Sequence, residues 1–206
     1  MTGTASPSAP LRVVVGITGA TGTLLGVRLL ERLREHGGVE VHLVMSRWAR
    51  STLEWETSLN TRDIAALADV THAPEDLGAA ISSDAFPVHG MVVIPCSMTT
   101  LAVIRAGCTD GLISRAADIT LRQRRKLVLV PRKTPLNDVH LENMLALSRR
   151  GAVIQPPMPA FSQRPETVDD LVGHTVDRVL DQFGLEAPGA RRRPGLRAAP
   201  EAASFR

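Results

Sequence analysis

The chain has 206 residues, 44% of them hydrophobic, which suits one well-buried domain rather than several. Its formal charge is +3, but residues 191–206 hold five Arg and one Glu and carry +4, leaving −1 for the remainder. The basic excess therefore sits in a tail and does not mark a nucleic-acid-binding domain, and two cysteines, Cys96 and Cys108, make no disulfide framework.

No apolar run reaches the ~18 residues of a membrane span. Residues 1–10 lack the charged start and apolar core of a signal peptide, so a cytoplasmic protein is expected. The expected organisation is a loose N-terminus over 1–10, one α/β domain over 11–186 and a basic, disordered tail over 187–206.

In chain order, LRVVVGI reads as a buried strand by its β-branched run. GTLLGVRLLERLREHG follows as a helix with a broad apolar face, stopped by Gly37 and Gly38. VEVHLVMS predicts a second strand, and RWARSTLEWET and TRDIAALAD two short helices. GMVVIPCS predicts a third strand, buried on both sides, before the helices MTTLAVIRAG and LISRAADITLRQRR. KLVLVPR is a fourth strand and LNDVHLENMLALSRRG a helix ending at Gly151. AVIQPP is a short fifth strand, and ETVDDLVGHTVDRVLDQFG a last helix opened by Glu166 or Thr167 and closed by Gly184. Strand–helix alternation with buried strands predicts a doubly wound parallel sheet with helices on both faces, flavodoxin-like or Rossmann-like.

The first strand–helix turn carries Gly16, Gly19, Gly22 and Gly26. That spacing is neither the dinucleotide fingerprint nor a P-loop, and the second strand ends at Ser46 rather than at an acid that would hold a ribose. Two readings stay open: a helix N-terminus that attracts a phosphate, with Thr18 and Thr21 beside it, or a tight turn that needs glycine only for packing. IPCSMTT and VPRKTP place Ser97, Thr99, Thr100 and Arg132 at the carboxyl edge of the same sheet, where open α/β sheets bind ligands. Cys96 reads as inert packing, since no base is legible near it. His140 reads as a helix-face packing residue, and the six histidines have no metal spacing, so no metal site is expected.

GITGATG, IPCSMTTLA, RAADITL, LVLVPR, HLENML and PPMPAF, in this order over about residues 11–185, resemble the UbiX-type flavin prenyltransferases, including the B-subunit proteins that accompany aromatic-acid decarboxylases. The resemblance implies an FMN-binding sheet and a homododecamer with active sites between subunits. It implies transfer of a dimethylallyl group from dimethylallyl phosphate to N5 and C6 of reduced FMN, without a metal. The product, prenyl-FMN, would serve a UbiD-type decarboxylase. Carried over, the flavin site comprises Gly19, Ala20, Thr21, Ser46, Ser97, Met98, Thr99, Thr100 and Arg132. Glu56 matches the family's acid and, with Thr21, would act in the reaction. Arg115, Arg122, Ser162 and Arg178 would hold the donor phosphate. Arg122 stands where the family usually has Lys, Lys133 where it has Glu, Ser162 where it has Tyr, and Asp84 where it has Gly.

Two further readings come from other classes. One is a non-catalytic FMN-binding B subunit; an altered allylic donor is its enzymatic counterpart. The other is a cysteine-decarboxylating flavoprotein, which needs a histidine on the first helix; GTLLGVRLL has none.

Overall fold

The computed structural model describes residues 10–186, so the expectations for 1–9 and for the tail lie outside the described residues. Six strands form one all-parallel sheet: β1 (Leu11–Ile17), β2 (Val39–Met45), β3 (Val70–His72), β4 (Gly90–Cys96), β5 (Lys126–Pro131) and β6 (Val153–Ile154). Their order is β3-β2-β1-β4-β5-β6, so the direction of winding reverses between β1 and β4. The helices are α1 (Thr23–His36), α2 (Arg47–Glu56), α3 (Thr61–Ala65), α4 (Met98–Ala106), α5 (Leu112–Arg122), α6 (Asp138–Arg149) and α7 (Val168–Asp181).

The sequence predicts five strands and the described residues form six. The additional one, β3, has three residues and pairs only with β2, at the edge. So short and exposed a segment carries no hydrophobic period by which to recognise it.

Alternation along each strand builds two cores. Val13, Val15 and Ile17 face α1, α2 and α7 through Leu29, Leu30, Leu53 and Val176. Val14, Met91 and Val93 face α4, α5 and α6 through Leu101, Ala117 and Leu147. The central strand β4 is buried along its whole length. Gly26 lets α1 lie directly on the sheet: a Cβ there would come within 2.8 Å of the Ile94 carbonyl oxygen. The last helix opens at Thr167, whose side chain accepts from Asp170 N–H while Asp170 reciprocates.

Candidate active site

The carboxyl ends of β1, β2, β4 and β5 are bound to one another by backbone. Ser46 N–H donates to Ile17 C=O at 3.0 Å, and Arg132 N–H donates to Cys96 C=O at 3.1 Å. Between them Thr18, buried, donates its hydroxyl to Pro95 C=O at 2.8 Å and accepts from Ser97 N–H at 2.8 Å. Gly19 packs against α2 so closely that a Cβ would meet Trp48 Cβ at 2.3 Å. Gly22, at φ 95°, occupies the left-handed conformation that opens α1.

Over this frame lies a cleft of about 500 Å³, lined by Gly19, Ala20, Thr21, Ser97, Met98, Thr99, Arg132, Lys133, Thr134 and His140. Seven of the nine residues carried over for the flavin are in that lining. The other two stand just behind it. Thr100 is hydrogen-bonded to Ser97 at 3.0 Å, and Ser46 caps α2 by accepting from Ala49 N–H at 3.1 Å. Beside the cleft, and sharing Met98, Arg132, Lys133 and Thr134 with it, is an apolar cavity of about 340 Å³ walled by Leu136, Met144, Met158 and the proline-rich 156–159 loop.

The structure relocates the anion-attracting helix terminus. At α1 the N–H groups are already taken: Glu56 accepts from Gly22 N–H at 2.9 Å and from Thr23 N–H at 2.8 Å, and from the Thr23 hydroxyl at 2.7 Å. A phosphate at that end would compete with a carboxylate of the same chain. At α4, Ser97 spends its hydroxyl on Thr100 N–H, while Met98 and Thr99 N–H have no acceptor among the described residues. Each aligned N–H end contributes on the order of 0.3–1 kcal/mol to holding an anion. Arg132 and Lys133 add two exposed cations without a carboxylate partner among the described residues, and no acid lines the cleft.

The residues expected around the donor phosphate do not converge within one chain. Arg115 donates to Ser82 C=O at 3.2 Å. Arg122 ends α5, at the amino edge of the sheet, and is gripped by Asp118 at 2.9 Å and Asp84 at 3.0 Å. Arg178 pairs with Asp181 at 3.0 Å and faces a different depression, beside Gln155, Pro156 and Met158. Ser162 lies in an exposed 3-10 turn, outside the lining of both cavities. The reason is topological: α5 must run back to the amino edge before β5 can start, which carries Arg122 away from the strand ends. Asp84 is committed to Arg122 and does not neutralise Lys133.

Two further outcomes concern single residues. His140 is not a packing residue; it lines the cleft at the third position of α6. Cys96 is fully buried, and burial pushes its thiol up to about 12, so it is not a nucleophile at neutral pH. Among the described residues no group of His, Cys, Asp and Glu could hold a metal, and no helix is long and apolar enough to cross a membrane.

A cleft of cations, hydroxyls and open N–H groups, joined to an apolar cavity at the winding reversal of a parallel sheet, defines a phosphate-bearing-cofactor protein of the doubly wound class. The flavoprotein family model matches residues 3–180. A Streptomyces protein described as a probable UbiX-like flavin prenyltransferase is 62% identical over 94% of this chain and 96% of its own. A solved dodecameric FMN-dependent UbiX-like decarboxylase from Escherichia coli O157:H7 is also 62% identical, with a TM-score of 0.88 over 90% of this chain and 100% of its own. The solved structure of AnUbiX (PadA1), in complex with FMN and dimethylallyl pyrophosphate, is 48% identical, with a TM-score of 0.89 over 90% of this chain and 98% of its own. The chain belongs to the flavoprotein family and, within it, to the UbiX-like flavin prenyltransferases.

Proposed function

We propose that this protein joins a dimethylallyl group from dimethylallyl phosphate to N5 and C6 of reduced FMN and releases prenyl-FMN to a UbiD-type decarboxylase in the cytoplasm. The observation that carries this is the two-part cavity: a polar, acid-free cleft continuous with an apolar one across Met98, Arg132, Lys133 and Thr134. The residues fit a flavin mononucleotide. Open N–H groups at Met98 and Thr99, with the Thr21 and Thr99 hydroxyls and Arg132, suit its phosphate and ring oxygens. The methionine and proline wall suits an apolar ring and a five-carbon allyl group.

When bound, reduced FMN supplies the nucleophile, N5, and the second ring position, C6. The chain's own part is to hold, dry and neutralise. Negative charge grows on the donor phosphate as its bond to carbon breaks, and preorganised cations in a water-poor site stabilise that charge most effectively. Arg132 and Lys133 stand at the junction of the two cavities, where that charge would develop. Glu56 stays within the opening turn, held by Gly22 and Thr23. It is not among the residues that line the cleft, so its part is to brace the turn that carries Thr21, and the proton lost at closure passes to the departing phosphate.

The dodecameric relative supports a closed assembly, a homododecamer with sites between subunits, in which Arg115 and Arg122 would serve the cleft of another copy. Apolar side chains left exposed support the same reading: Trp48 is 65% and Trp55 90% accessible on α2, next to the cleft.

The test is anaerobic incubation of the protein with reduced FMN and dimethylallyl phosphate, read by product mass. Prenyl-FMN formed without a partner protein is the expected result. Bound FMN with no product would overturn the reaction and leave a flavin-binding module. In parallel, Arg132→Ala should lose about 1.5–3 kcal/mol of flavin binding, the range for a charge-assisted hydrogen bond. That is one to two decades in Kd.

A further inference from the structure

His140 has no task in the flavin or donor sites carried over from the family, yet it lines the cleft. Its ring is committed on one side. Asn137 caps α6 by accepting from His140 N–H at 2.9 Å, and Asn137 N–H donates back to His140 Nδ1 at 3.3 Å. A ring nitrogen that accepts from N–H carries no proton of its own. The proton of the neutral imidazole is thereby assigned to Nε2. Nε2–H has no acceptor among the described residues, in a cleft whose other polar side chains are Thr21, Ser97, Thr99, Arg132, Lys133 and Thr134. The capping exchange thus does two things at once. It starts α6, and it fixes the tautomer and rotation of the ring that borders the ligand.

We propose that His140 is a positioning residue for the flavin, donating a hydrogen bond from Nε2–H to an acceptor oxygen of the nucleotide. The inference rests on the flavin reading above. It makes the start of α6 a third support of the ligand, beside the turns after β1 and β4.

Substitution at this capping position separates the two roles. Glu and Gln both complete a capping box at the third helical position. Gln keeps an N–H donor; Glu has none; Ala loses both cap and donor. FMN binding is titrated by flavin fluorescence on the full-length protein, together with thermal unfolding. The expected result is that His140→Gln binds FMN within about threefold of the parent. His140→Glu should unfold at the parent's temperature yet bind about tenfold or more weakly, and His140→Ala should bind weakly as well. Repeating the titration with riboflavin identifies the acceptor: a loss that persists points to the ring, and one that vanishes points to the phosphate. If Ala binds FMN as tightly as the parent, or if Glu and Gln match it equally, His140 is only a cap and the proposal falls. If the parent protein itself binds no FMN, it is the flavin reading that has failed, and this inference goes with it.

Discussion

Glu56→Ala is the most informative single change, because its carboxylate ties two helices together beside the cleft. In the folded protein it ties the end of α2 to the start of α1, accepting from two backbone N–H groups and one hydroxyl. The Gly22 end is exposed, so water replaces that bond cheaply. Thr23 is buried, at 1% exposure, and its donors are served less well by solvent. Loss of a helix N-cap costs about 0.5–2 kcal/mol, and stranding a partly buried donor adds to it. We expect about 1–2 kcal/mol of destabilisation, which for a chain of this length is a fall in Tm of about 2–8 °C. Glu56→Gln keeps one acceptor oxygen and should lose less than half of that. Thr23→Val removes only the hydroxyl, and a cycle of Glu56→Ala with Thr23→Val should show a coupling of about 0.5–1 kcal/mol. The measurements are thermal melts of the four proteins at matched concentration. A Tm within about 1 °C of the parent for Glu56→Ala, or strict additivity in the cycle, would refute the clamp.

Gly19→Ala forces α2 away from the opening turn and should cost about 1–3 kcal/mol of stability, as overpacking does; a urea midpoint and an FMN titration that both match the parent would contradict the close approach to Trp48. Stability should fall on acidification in two stages. His72 is held below its ordinary 6.5, by burial first and then by the neighbouring His42 charge, with Asp76 opposing. Its contribution is therefore present above about pH 6.5 and lost as pH drops through the lower folded value. Glu40 is held below its ordinary 4.5, chiefly by the His42 hydrogen bond and then by Arg12, against burial, so its share is lost further down the scale. Urea midpoints between about pH 2 and 8 should show the acid loss shrinking in Glu40→Gln and His72→Gln, and an unchanged pH profile would sink the assignment. With a thiol reagent at neutral pH, mass mapping should find Cys108 labelled and Cys96 untouched; modification of Cys96 in the folded protein would show that its burial is overstated.

What could be read beforehand was whatever depends on local pattern. The β-branched runs of β1 and β4, the apolar face of α1 and the glycines after α1 and α4 announce themselves within a few residues. Seven of the residues expected at the flavin meet in one cleft because they sit directly after strands, and a parallel sheet gathers all such positions at one edge. Long-range placement was not legible. Nothing in the sequence near Glu56 shows that it would reach back to Gly22 and Thr23, 34 and 33 residues away. His140 looks like one more helical residue until Asn137 is seen to cap the same turn. The strand at Val70–His72 escapes notice because it is held by its neighbour β2, not by its own hydrophobicity. The placement of Arg115 and Arg122 was hidden for a different reason: a motif records their chemistry, whereas the chain crossing from β4 to β5 decides at which edge they emerge.

The Thr18 hydroxyl, placed between Pro95 C=O and Ser97 N–H, divides the neighbourhood into what can be inherited freely and what cannot. The floor of the cleft is main chain stitched to main chain, with Thr18, Gly19 and Gly26 as the few positions where a side chain, or its absence, sets the stitching. The side chains that line the cleft above it, including Thr21, Lys133, Thr134 and His140, are mounted on that floor without helping to hold it together at β1 and β4. A lineage can therefore exchange its ligand-facing side chains one at a time, a Glu for Lys133 or a Ser for Thr21, and test each new chemistry on an unaltered chassis.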